Sequence, residues 1–471
     1  MGADVDAEDE VELDATYFDT HDLRLVRAGL TLRRRTGGDD AGWHLKLPVD
    51  ADTRREIQRP LGTDDTVPAE LRALVRVHTR DAPLEPMATI TTRRRRWHIS
   101  DDAGAEVAEF ADDRVHATTS SSPGDHDWRE LEIELSEDAP PTLLDTLEDD
   151  LRAAGVRRSD APSKLSRTLG ERLRRPVDGR KKLRKAGSDV VVQEYLRAQT
   201  GTLRTFDPLV RLDADDAVHR MRVTARRLRA ALQGFRRVLD RDATAHLVED
   251  LRWLGGELAP ARDAEVTGAR FTAAVDALPD GHVLGPVAAQ VTRRFAREQR
   301  EGQKRAIAAL DSSRYPDLQQ RLDDLLDDPP TTGRAKRREL ARAVHKAHRR
   351  TSHRMRAALA EPWGGDRDIA LHEARKAAKR LRYVLEAVEP ARGKKARKAR
   401  KKTKKLASTL GDHHDTVTAR PVLRELAAQA HQEGGNGFTF GLLHAREQAA
   451  AGRLDDAAEA AWSRVATTPR T

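Results

Sequence analysis

Two segments of this chain, roughly 150 residues apart, carry the same pattern of basic residues. The first reads HRMRVTARRLRAAL from His219 to Leu232, and the second reads HEARKAAKRLRYVL from His372 to Leu385. Positions three, four and seven residues apart share one side of a helix, so each segment is predicted to be a helix with one basic face. The predicted faces consist of His219, Arg222, Arg226 and Arg229 in the first copy, and His372, Arg375, Lys379 and Arg382 in the second. Neighbouring like charges destabilise a helix, so the duplication indicates that an extended polyanion lies across both faces.

A second pair of motifs follows at nearly the same offset. Leu258–Val266 reads LAPARDAEV and Leu410–Val417 reads LGDHHDTV, which places Arg262 opposite His414. Ala- and Arg-rich helices can resemble each other by chance, but here two motifs recur in the same order. We therefore predict a duplicated helical unit and add Arg262 and His414 to the candidate anion-binding residues.

The two repeated histidines, His219 and His372, could instead bind a metal. Histidine pairs that bind metals on a helix are usually four residues apart, and those positions hold Val223 and Lys376. This spacing argues against a metal site. Phosphate contact and helix packing are both left open for the two histidines.

Length and composition limit the classes of protein that this chain can belong to. At 471 residues it is long enough for two or three domains. The absence of cysteine excludes disulfides and thiolate metal sites. No apolar run is long enough to span a membrane, and the acidic start MGADVDAEDE lacks the apolar centre of a signal peptide. We expect a cytoplasmic protein that does not bind membranes.

The charge balance bears on nucleic-acid binding. Aromatic residues make up only 4% of the chain, which argues against stacking on bases, although binding a phosphate backbone requires only cations. The densest basic run, Arg392 to Lys405, has ten cations in fourteen residues. Such a run is most often a solvated face or a nonspecific polyanion patch, so nonspecific nucleic-acid binding is kept as an alternative.

The first 170 residues are predicted to form strands whose second face is charged. Leu30–Arg35 and Trp43–Leu47 alternate around a Gly-Gly-Asp-Asp turn, which predicts a hairpin. Trp128–Leu135 reads WRELEIEL and places three glutamates on one face. A single solvent-exposed sheet face is the alternative for any one strand. Charged faces on strand after strand favour a polar cavity in which cations hold phosphates and carboxylates hold Mg²⁺ or Mn²⁺.

The spacing of apolar residues changes along the chain from the alternation of strands to the spacing of helices, which predicts a multidomain α+β protein. We expect strands over residues 1–170, a basic linker over 171–189 and helices over 190–465. Breaks in the helical pattern are predicted near the following residues: Gly201, Pro279, Pro329-Pro330, Gly364-Gly365 and Gly434–Gly437.

Over about residues 11–170 the chain resembles a CYTH domain, which has the triphosphate tunnel metalloenzyme fold. The resemblance is carried by YFDTHDLRLVRAGLTLRRR, WHLKLP, RREI, TTRRRRW, AEFADDRV, ELEIEL and SKLSR. It implies an eight-stranded antiparallel tunnel that binds triphosphate-type ligands with a divalent metal, Mg²⁺ or Mn²⁺. It implies phosphate contacts from Arg33, Arg35, Lys46, Arg93, Arg95 and Lys164. It implies metal ligation by Glu130, Glu132 and Glu134, supported by Glu56 and Asp113.

One part of the CYTH pattern is missing. The family begins with a strand that carries an ExExK signature, whereas this sequence enters at the later YFDT motif, and Glu10 and Glu12 are followed by no matching lysine. We expect either a start further upstream or a tunnel that lacks its first strand. Hydrolysis of triphosphate is expected to be slow or absent, and no catalytic residue is assigned.

From about residue 190 to 465 the chain resembles a CHAD domain. The resemblance rests on both copies of the basic motif and on ARDAEV and LGDHHDTV, in this order. It implies two four-helix bundles around a basic channel that binds inorganic polyphosphate, and association with polyphosphate granules would follow from that ligand. The sequence thus predicts polyphosphate binding beside a triphosphate-binding domain. The alternatives are an active Mg²⁺-dependent triphosphatase or polyphosphatase and a nonspecific nucleic-acid binder.

Overall fold

The structure is a computed structural model that describes residues 5–7, 10–48, 54–101, 103–120, 122–136, 139–140, 142–173, 183–279 and 281–466. The chain divides into two compact units, Met1–Val177 and Asp178–Thr471. The boundary lies in the segment predicted as a linker, of which residues 174–182 are outside the described ranges.

The first unit is built around an antiparallel sheet. Its strands are β1 (Val5–Ala7), β2 (Val11–Asp19), β3 (Thr31–Thr36), β4 (Gly42–Pro48), β5 (Arg54–Arg59), β6 (Glu85–Ser100), β7 (Glu106–Thr119) and β8 (Ser122–Leu135). The strand order is β5-β4-β3-β2-β6-β7-β8, and β1 pairs with β6 outside this path. Residues from all seven strands of the path line one cavity, so the sheet curls around it. Within the described residues, β5 and β8 are the edges.

Alternation along β3 and β4 separates apolar outer side chains from charged and polar inner ones. Trp43 and Leu45 of β4 and Leu32 of β3 are fully buried on the outer side, and the Trp43 ring lies 5.0 Å from the Phe18 ring. The intervening side chains point to the interior because successive residues of a strand face opposite ways. The predicted hairpin is confirmed, with Arg33 paired to His44 across β3 and β4.

In the described part of this unit there are four α-helices: α1 (Arg24–Arg27), α2 (Ala69–Thr79), α3 (Thr142–Ala153) and α4 (Lys164–Leu169). The hydroxyl of Ser163 accepts a hydrogen bond from the backbone N–H of Ser166 and so caps α4. Leu165 and Leu169 of α4 are buried in an apolar cluster with β2, β6 and β7. This packing fixes Lys164, the first residue of α4, beside the interior of the sheet.

The second unit is all-helical, and the described residues form ten helices in it. They are α5 (Ser188–Arg211), α6 (Ala217–Gly234), α7 (Ala245–Glu257), α8 (Ala259–Asp276), α9 (Val287–Asp311), α10 (Arg314–Asp327), α11 (Arg338–Ala360), α12 (Gly365–Arg392), α13 (Lys394–Gln432) and α14 (Phe438–Ala466). None of the helices described is both long enough and apolar enough to cross a bilayer. Gly201, predicted to break the pattern, instead lies inside α5.

The two copies of the basic motif lie on α6 and α12, and these helices pack against each other. Their apolar sides are buried, as Leu228 of α6 and Leu381 of α12 show with at most 1% exposure. A side chain at Gly234 of α6 would come within 2.8 Å of Val384 of α12. The missing side chain at Gly234 therefore permits close approach of the two helices.

A second core joins the later helices of the two halves. Residues from α8, α9, α13 and α14 share one hydrophobic cluster, in which Phe271 and Phe295 meet edge to face with centroids 5.6 Å apart. Gly302 of α9 faces the backbone of α8, where an added Cβ would lie 2.3 Å from the backbone nitrogen of Ala261. The α8–α9 contact thus depends on a glycine at this position.

We predict that Gly302→Ala destabilises the helical unit by about 2 kcal/mol, because backbone atoms cannot move aside as a flexible side chain can. Thermal unfolding of the full chain, followed by far-ultraviolet circular dichroism, measures the change. Gly201→Ala is the matched control, since this glycine is also within a helix but has no atom within 4 Å of an added Cβ. The control should raise stability by about 0.5–1 kcal/mol. Equal effects of the two substitutions would contradict the packing argument.

Candidate functional site

The curled sheet encloses a cavity of about 350 Å³ whose lining is rich in charged side chains. Arg54 of β5 is one of these charged side chains, and five further cations come from β3, β4 and β6. They are Arg33 and Arg35 of β3, Lys46 of β4, and Arg94 and Arg96 of β6. Arg35 pairs with Asp40. Burial, together with the neighbouring Arg33 and Arg94, lowers the pKa of Arg35 to about 10, and Glu56 offsets only part of this effect. The wall therefore concentrates positive charge.

The structure places Arg93 and Arg95 differently from the sequence-based prediction. Both are exposed on the outer face of β6, where Arg93 forms an ion pair of 3.2 Å with Glu12. Arg94 and Arg96 line the cavity in their place. A shift of one residue moves every side chain of a strand to the other face, and a run of four arginines contains no alternation that would fix which face is which.

An acidic cluster faces these cations from β7 and β8. Antiparallel register places Arg94 beside Asp113 and Asp113 beside Glu130. Oxygens of Asp113, Glu130 and Glu132 all lie within 4.8 Å of one another. The Arg94 guanidinium donates to Asp113 at 2.6 and 2.8 Å and to Glu132 at 2.5 Å.

The Lys164 ammonium lies among the same three carboxylates. Its Nζ is 2.8 Å from Asp113 and 2.7 Å from both Glu130 and Glu132. Burial disfavours the charged form of Glu132, but Lys164 and Arg94 outweigh this and lower its pKa to about 2. Burial also disfavours the Lys164 ammonium, yet the carboxylates of Glu132, Asp113 and Glu130 raise its pKa above the ordinary value. Glu132 and Lys164 are thus both ionised at neutral pH.

Two further predicted carboxylates have separate surroundings. Glu134 lines the cavity but lies opposite Glu109, and Asp113 takes its place in the acidic cluster. Strand residues rise about 3.3 Å each, so Glu130 and Glu134 are too far apart along β8 to share one ion. Glu56 is held by His44 at 2.8 Å and Lys46 at 3.2 Å. Burial opposes ionisation of Glu56, but these partners and Arg33 lower its pKa to about 2.

The acidic cluster fits the hard divalent cation that a CYTH domain implies. Mg²⁺ and Mn²⁺ prefer oxygen ligands, and three carboxylates converge here. Asp113, Glu130 and Glu132 would hold the ion. When bound there, a divalent cation would neutralise the phosphate oxygens of a ligand whose other charges meet the arginines of the cavity wall.

The helical unit brings the two predicted basic faces together. Arg222 and Arg226 of α6 are close enough to Arg375 of α12 to lower its pKa, although burial is the larger cause and Asp415 offsets part of the effect. The Nε atoms of Arg226, Arg375 and Arg382 are buried without a hydrogen-bond partner among the described residues. Arg375 packs 3.6 Å from the position of an added Cβ at Gly411. Cations from both helices thus form one group, which we call the repeat cluster. It consists of Arg222 and Arg226 of α6 and Arg375, Lys379 and Arg382 of α12.

Lys379 lies at the centre of the repeat cluster. Burial lowers its pKa, and Arg375, Arg226 and Arg382 lower it further, to about 7, while Asp415 only partly compensates. An ordinary lysine titrates near 10.4. The positive charge of the three arginines thus adds to the effect of burial, and Asp415 offsets only part of it.

The predicted histidines lie beside this cluster. Nδ1 of His372 is 3.0 Å from Nδ1 of His414, so one ring donates a hydrogen bond to the other. Burial lowers the pKa of His414 to about 3, together with Arg375, His372 and Lys379. Burial and Arg262 likewise lower the pKa of His219. These histidines are neutral at physiological pH.

Some predicted cations have carboxylate partners. Arg222 donates to Asp263 at 2.7 Å, and Arg262 pairs with Glu265 at 2.6 Å. Asp263 therefore orients a cation of the first repeat. His413 is buried and lies 3.4 Å from Asp368, so of the adjacent histidines only His414 reaches the repeat cluster.

Sequence reasoning did not identify an extension of this cluster. Burial lowers the pKa of Arg380, and so do Arg350, Arg229 and Arg236. Burial and neighbouring arginines also lower the pKa of Lys346 on α11. The sequence HKAHRRTSHR of α11 holds the missing signal, since its basic residues recur at helical spacing, but no second copy of it draws attention to them.

The dense basic run from Arg392 to Lys405 lies at the turn between two helices. It spans the end of α12, a turn at Gly393 with φ of 64°, and the start of α13. Arg397 and Arg400 pair with Glu389 at 2.8 and 2.6 Å. This run extends a helical hairpin.

Comparisons with known families agree with both units. A curled antiparallel sheet with a charged interior, followed by helices with paired basic faces, defines a two-domain protein. The family model of the CYTH domain matches residues 2–169, and that of the CHAD domain matches residues 194–424. The chain belongs to the proteins that combine a CYTH domain with a CHAD domain.

Similar proteins span most of the chain. Two uncharacterized proteins of Mycobacterium tuberculosis, from strains CDC 1551 / Oshkosh and ATCC 25618 / H37Rv, are 36% identical over 476 residues, which cover 96% of this chain and 90% of theirs. The solved structure of PptA from Streptomyces chartreusis has a TM-score of 0.50 at 22% identity and covers 59% of this chain and 100% of its own. The CHAD domain of the plant Ricinus communis has a TM-score of 0.48 at 26% identity, with 59% of this chain and 91% of that chain covered. The likeness to PptA concerns the fold alone.

Proposed function

We propose that the helical unit binds inorganic polyphosphate across the repeat cluster. The observation that carries this proposal is the surplus of half-buried positive charge where α6 and α12 meet. It is expressed in the pKa of Lys379, lowered to about 7 by burial and by three arginines. Buried cations are normally paired, and a polyanion would supply the missing negative charge.

The arrangement favours a thin, flexible chain of closely spaced charges. The predicted contacts come from both repeats, and Arg229, Arg380, Arg236 and Arg350 would lengthen the row towards α11. A polyphosphate can follow such a row because it carries a charge on every phosphate. Duplex DNA is much wider, and on this proposal it would meet only the exposed run at Lys394–Lys405.

In the CYTH domain we propose binding of a triphosphate-type ligand with a divalent cation. The arginines of β3 and β6 would contact phosphate oxygens, as would Lys46. The acidic cluster on β7 and β8 would hold Mg²⁺ or Mn²⁺. Opposed cationic and acidic walls around one cavity support this proposal, since a metal–phosphate complex has both charge types.

Charge reversal in either repeat is predicted to weaken polyphosphate binding at least tenfold, because the ligand lies across both. The two variants are Arg222→Glu with Arg226→Glu, and Arg375→Glu with Lys379→Glu. Competition titration against duplex DNA at several salt concentrations measures the affinities and the number of counterions released. Arg293→Glu with Arg300→Glu is the matched control, since it makes the same charge change on an exposed face of α9.

A third variant tests the basic run. Replacing the lysines of Lys394–Lys405 by glutamine, while keeping Arg397 and Arg400 that pair with Glu389, should reduce DNA binding more than polyphosphate binding. Equal affinity of the wild-type protein for DNA and polyphosphate would indicate a generic basic surface. So would a loss of binding confined to the lysine variant.

Polyphosphate binding is also predicted to take up close to one proton at pH 8. Free Lys379, with a pKa of about 7, is mostly neutral at this pH, and bound phosphate favours its ammonium form. The bound pKa therefore rises, and affinity falls as pH increases above about 7. Isothermal titration calorimetry in buffers of different ionisation enthalpy measures the proton uptake. Lys379→Met should abolish it, and equal uptake in this variant would assign the proton elsewhere.

Hydrolysis of tripolyphosphate is predicted to be slow or absent. Within the described residues the acidic cluster has three carboxylates, and the Lys164 ammonium is bound to all of them. Phosphate release with Mg²⁺ or Mn²⁺ measures the activity. Robust turnover that is abolished by Glu132→Gln would overturn this prediction and assign a metal-dependent triphosphatase.

A further inference from the structure

Lys164 occupies the position at which the acidic cluster would hold a metal ion. Its side chain is only 10% exposed, and its ammonium group contacts one oxygen of each of the three carboxylates at 2.7–2.8 Å. An ammonium group has three N–H donors, so these contacts use all of them. Lys164, together with Arg94, which donates to Asp113 and Glu132, therefore offsets part of the negative charge of the cluster from within the chain.

A metal ion and this ammonium group cannot use the cluster together. Mg²⁺ binds carboxylate oxygens at about 2.1 Å, and the three oxygens already lie within 4.8 Å of one another. A divalent ion bound to them would lie within a few ångströms of Nζ, where two positive charges in a poorly solvated site repel strongly. Entry of the metal requires that the ammonium group leave.

Only the side chain of Lys164 is free to move. Its backbone begins α4, which is capped by Ser163 and anchored by the buried Leu165 and Leu169. The side chain of a lysine is a flexible stem of four carbons. Rotation about its bonds can therefore turn the ammonium group from the cluster into the adjoining cavity, which Lys164 also lines. The other cations there, such as Arg33 and Arg94, make this move unfavourable unless an anion is present.

We propose that Lys164 is an internal counter-ion that a divalent metal must displace, and that the displaced ammonium group then binds a phosphate of the ligand. This inference rests on the proposed function of the CYTH domain, and it adds the role of a counter-ion to the phosphate contact expected of Lys164. Its consequence is selectivity for a metal–phosphate complex over free metal. Metal alone would have to displace a cation that gains no new partner, whereas the complex supplies a phosphate to receive it.

Metal binding without phosphate tests the displacement. Lys164→Met should bind Mn²⁺ at least tenfold more tightly than the wild-type full chain, as measured by calorimetry or by electron paramagnetic resonance of free Mn²⁺. Lys164→Arg, which keeps the charge, should bind it as weakly as the wild type. Arg114→Met removes a positive charge beside Asp113 on the outer face of β7 and should change the affinity less than threefold.

Two results would overturn the inference. One is Mn²⁺ affinity of Lys164→Met that does not exceed the wild-type value. The other is an equal increase of Mn²⁺ affinity in Arg114→Met, which would indicate a general effect of removing positive charge. Titration of the wild type with tripolyphosphate and Mg²⁺ together reports separately on the proposed function. If that binding is present, a failed metal comparison contradicts only the role of Lys164.

A second measurement needs no variant and so does not depend on folding of Lys164→Met. Acetylation of lysines in the wild-type chain, followed by mass spectrometry, compares the reaction rate of Lys164 with and without saturating Mg²⁺. Release from the carboxylates should raise the rate several-fold. Lys46, paired with Glu56, is the internal reference and should not change. An unchanged or lower rate for Lys164 under conditions in which Mg²⁺ binds would also overturn the inference.

Discussion

Packing of apolar surface holds together cations that repel one another. In the helical domain α6 and α12 pack against each other, and Leu228 and Leu381 on them are almost completely buried, so this packing keeps Arg226, Arg375 and Lys379 close to each other. Burying a Leu side chain contributes about 1.5–3 kcal/mol, so a few such contacts offset substantial repulsion. The basic surface exists because the fold stabilises it, and the lowered pKa of Lys379 reflects both its burial and the remaining repulsion.

The two domains treat buried charge in opposite ways. In the CYTH domain the cations nearest the acidic cluster are matched, as with Arg94 and Asp113 at 2.6 Å. In the CHAD domain the central cations lack sufficient carboxylates. A matched pair must be broken before a ligand can use its members, which favours a ligand that brings both signs of charge. An unmatched cluster is ready for an anion alone. The same charged residue types thus suit different ligands.

Period and repetition made much of this arrangement predictable. Helical spacing identified both basic faces. The alignment of His219 with His372 fixed which residues of the two copies correspond. Prediction was less accurate where neighbouring residues do not alternate between apolar and charged types. The run Arg93–Arg96 does not reveal its inward face, and Asp113 was only a supporting candidate because its approach to Glu130 depends on register between strands. Gly201 was predicted as a break, yet a glycine within a helix costs only about 1 kcal/mol, which the buried side of α5 can offset.

The alternation that fills the cavity with charge also affects the edges of the sheet. Within the described residues, β5 and β8 have no further strand beside them, and an exposed edge with free N–H and C=O groups can pair with another molecule and start aggregation. β5 carries Arg54, Arg55 and Arg59 around a single buried Ile57, and β8 alternates glutamates with its apolar residues. Two copies of either edge would bring like charges together. The charges on these two strands therefore also disfavour pairing between the edges of separate molecules at high concentration.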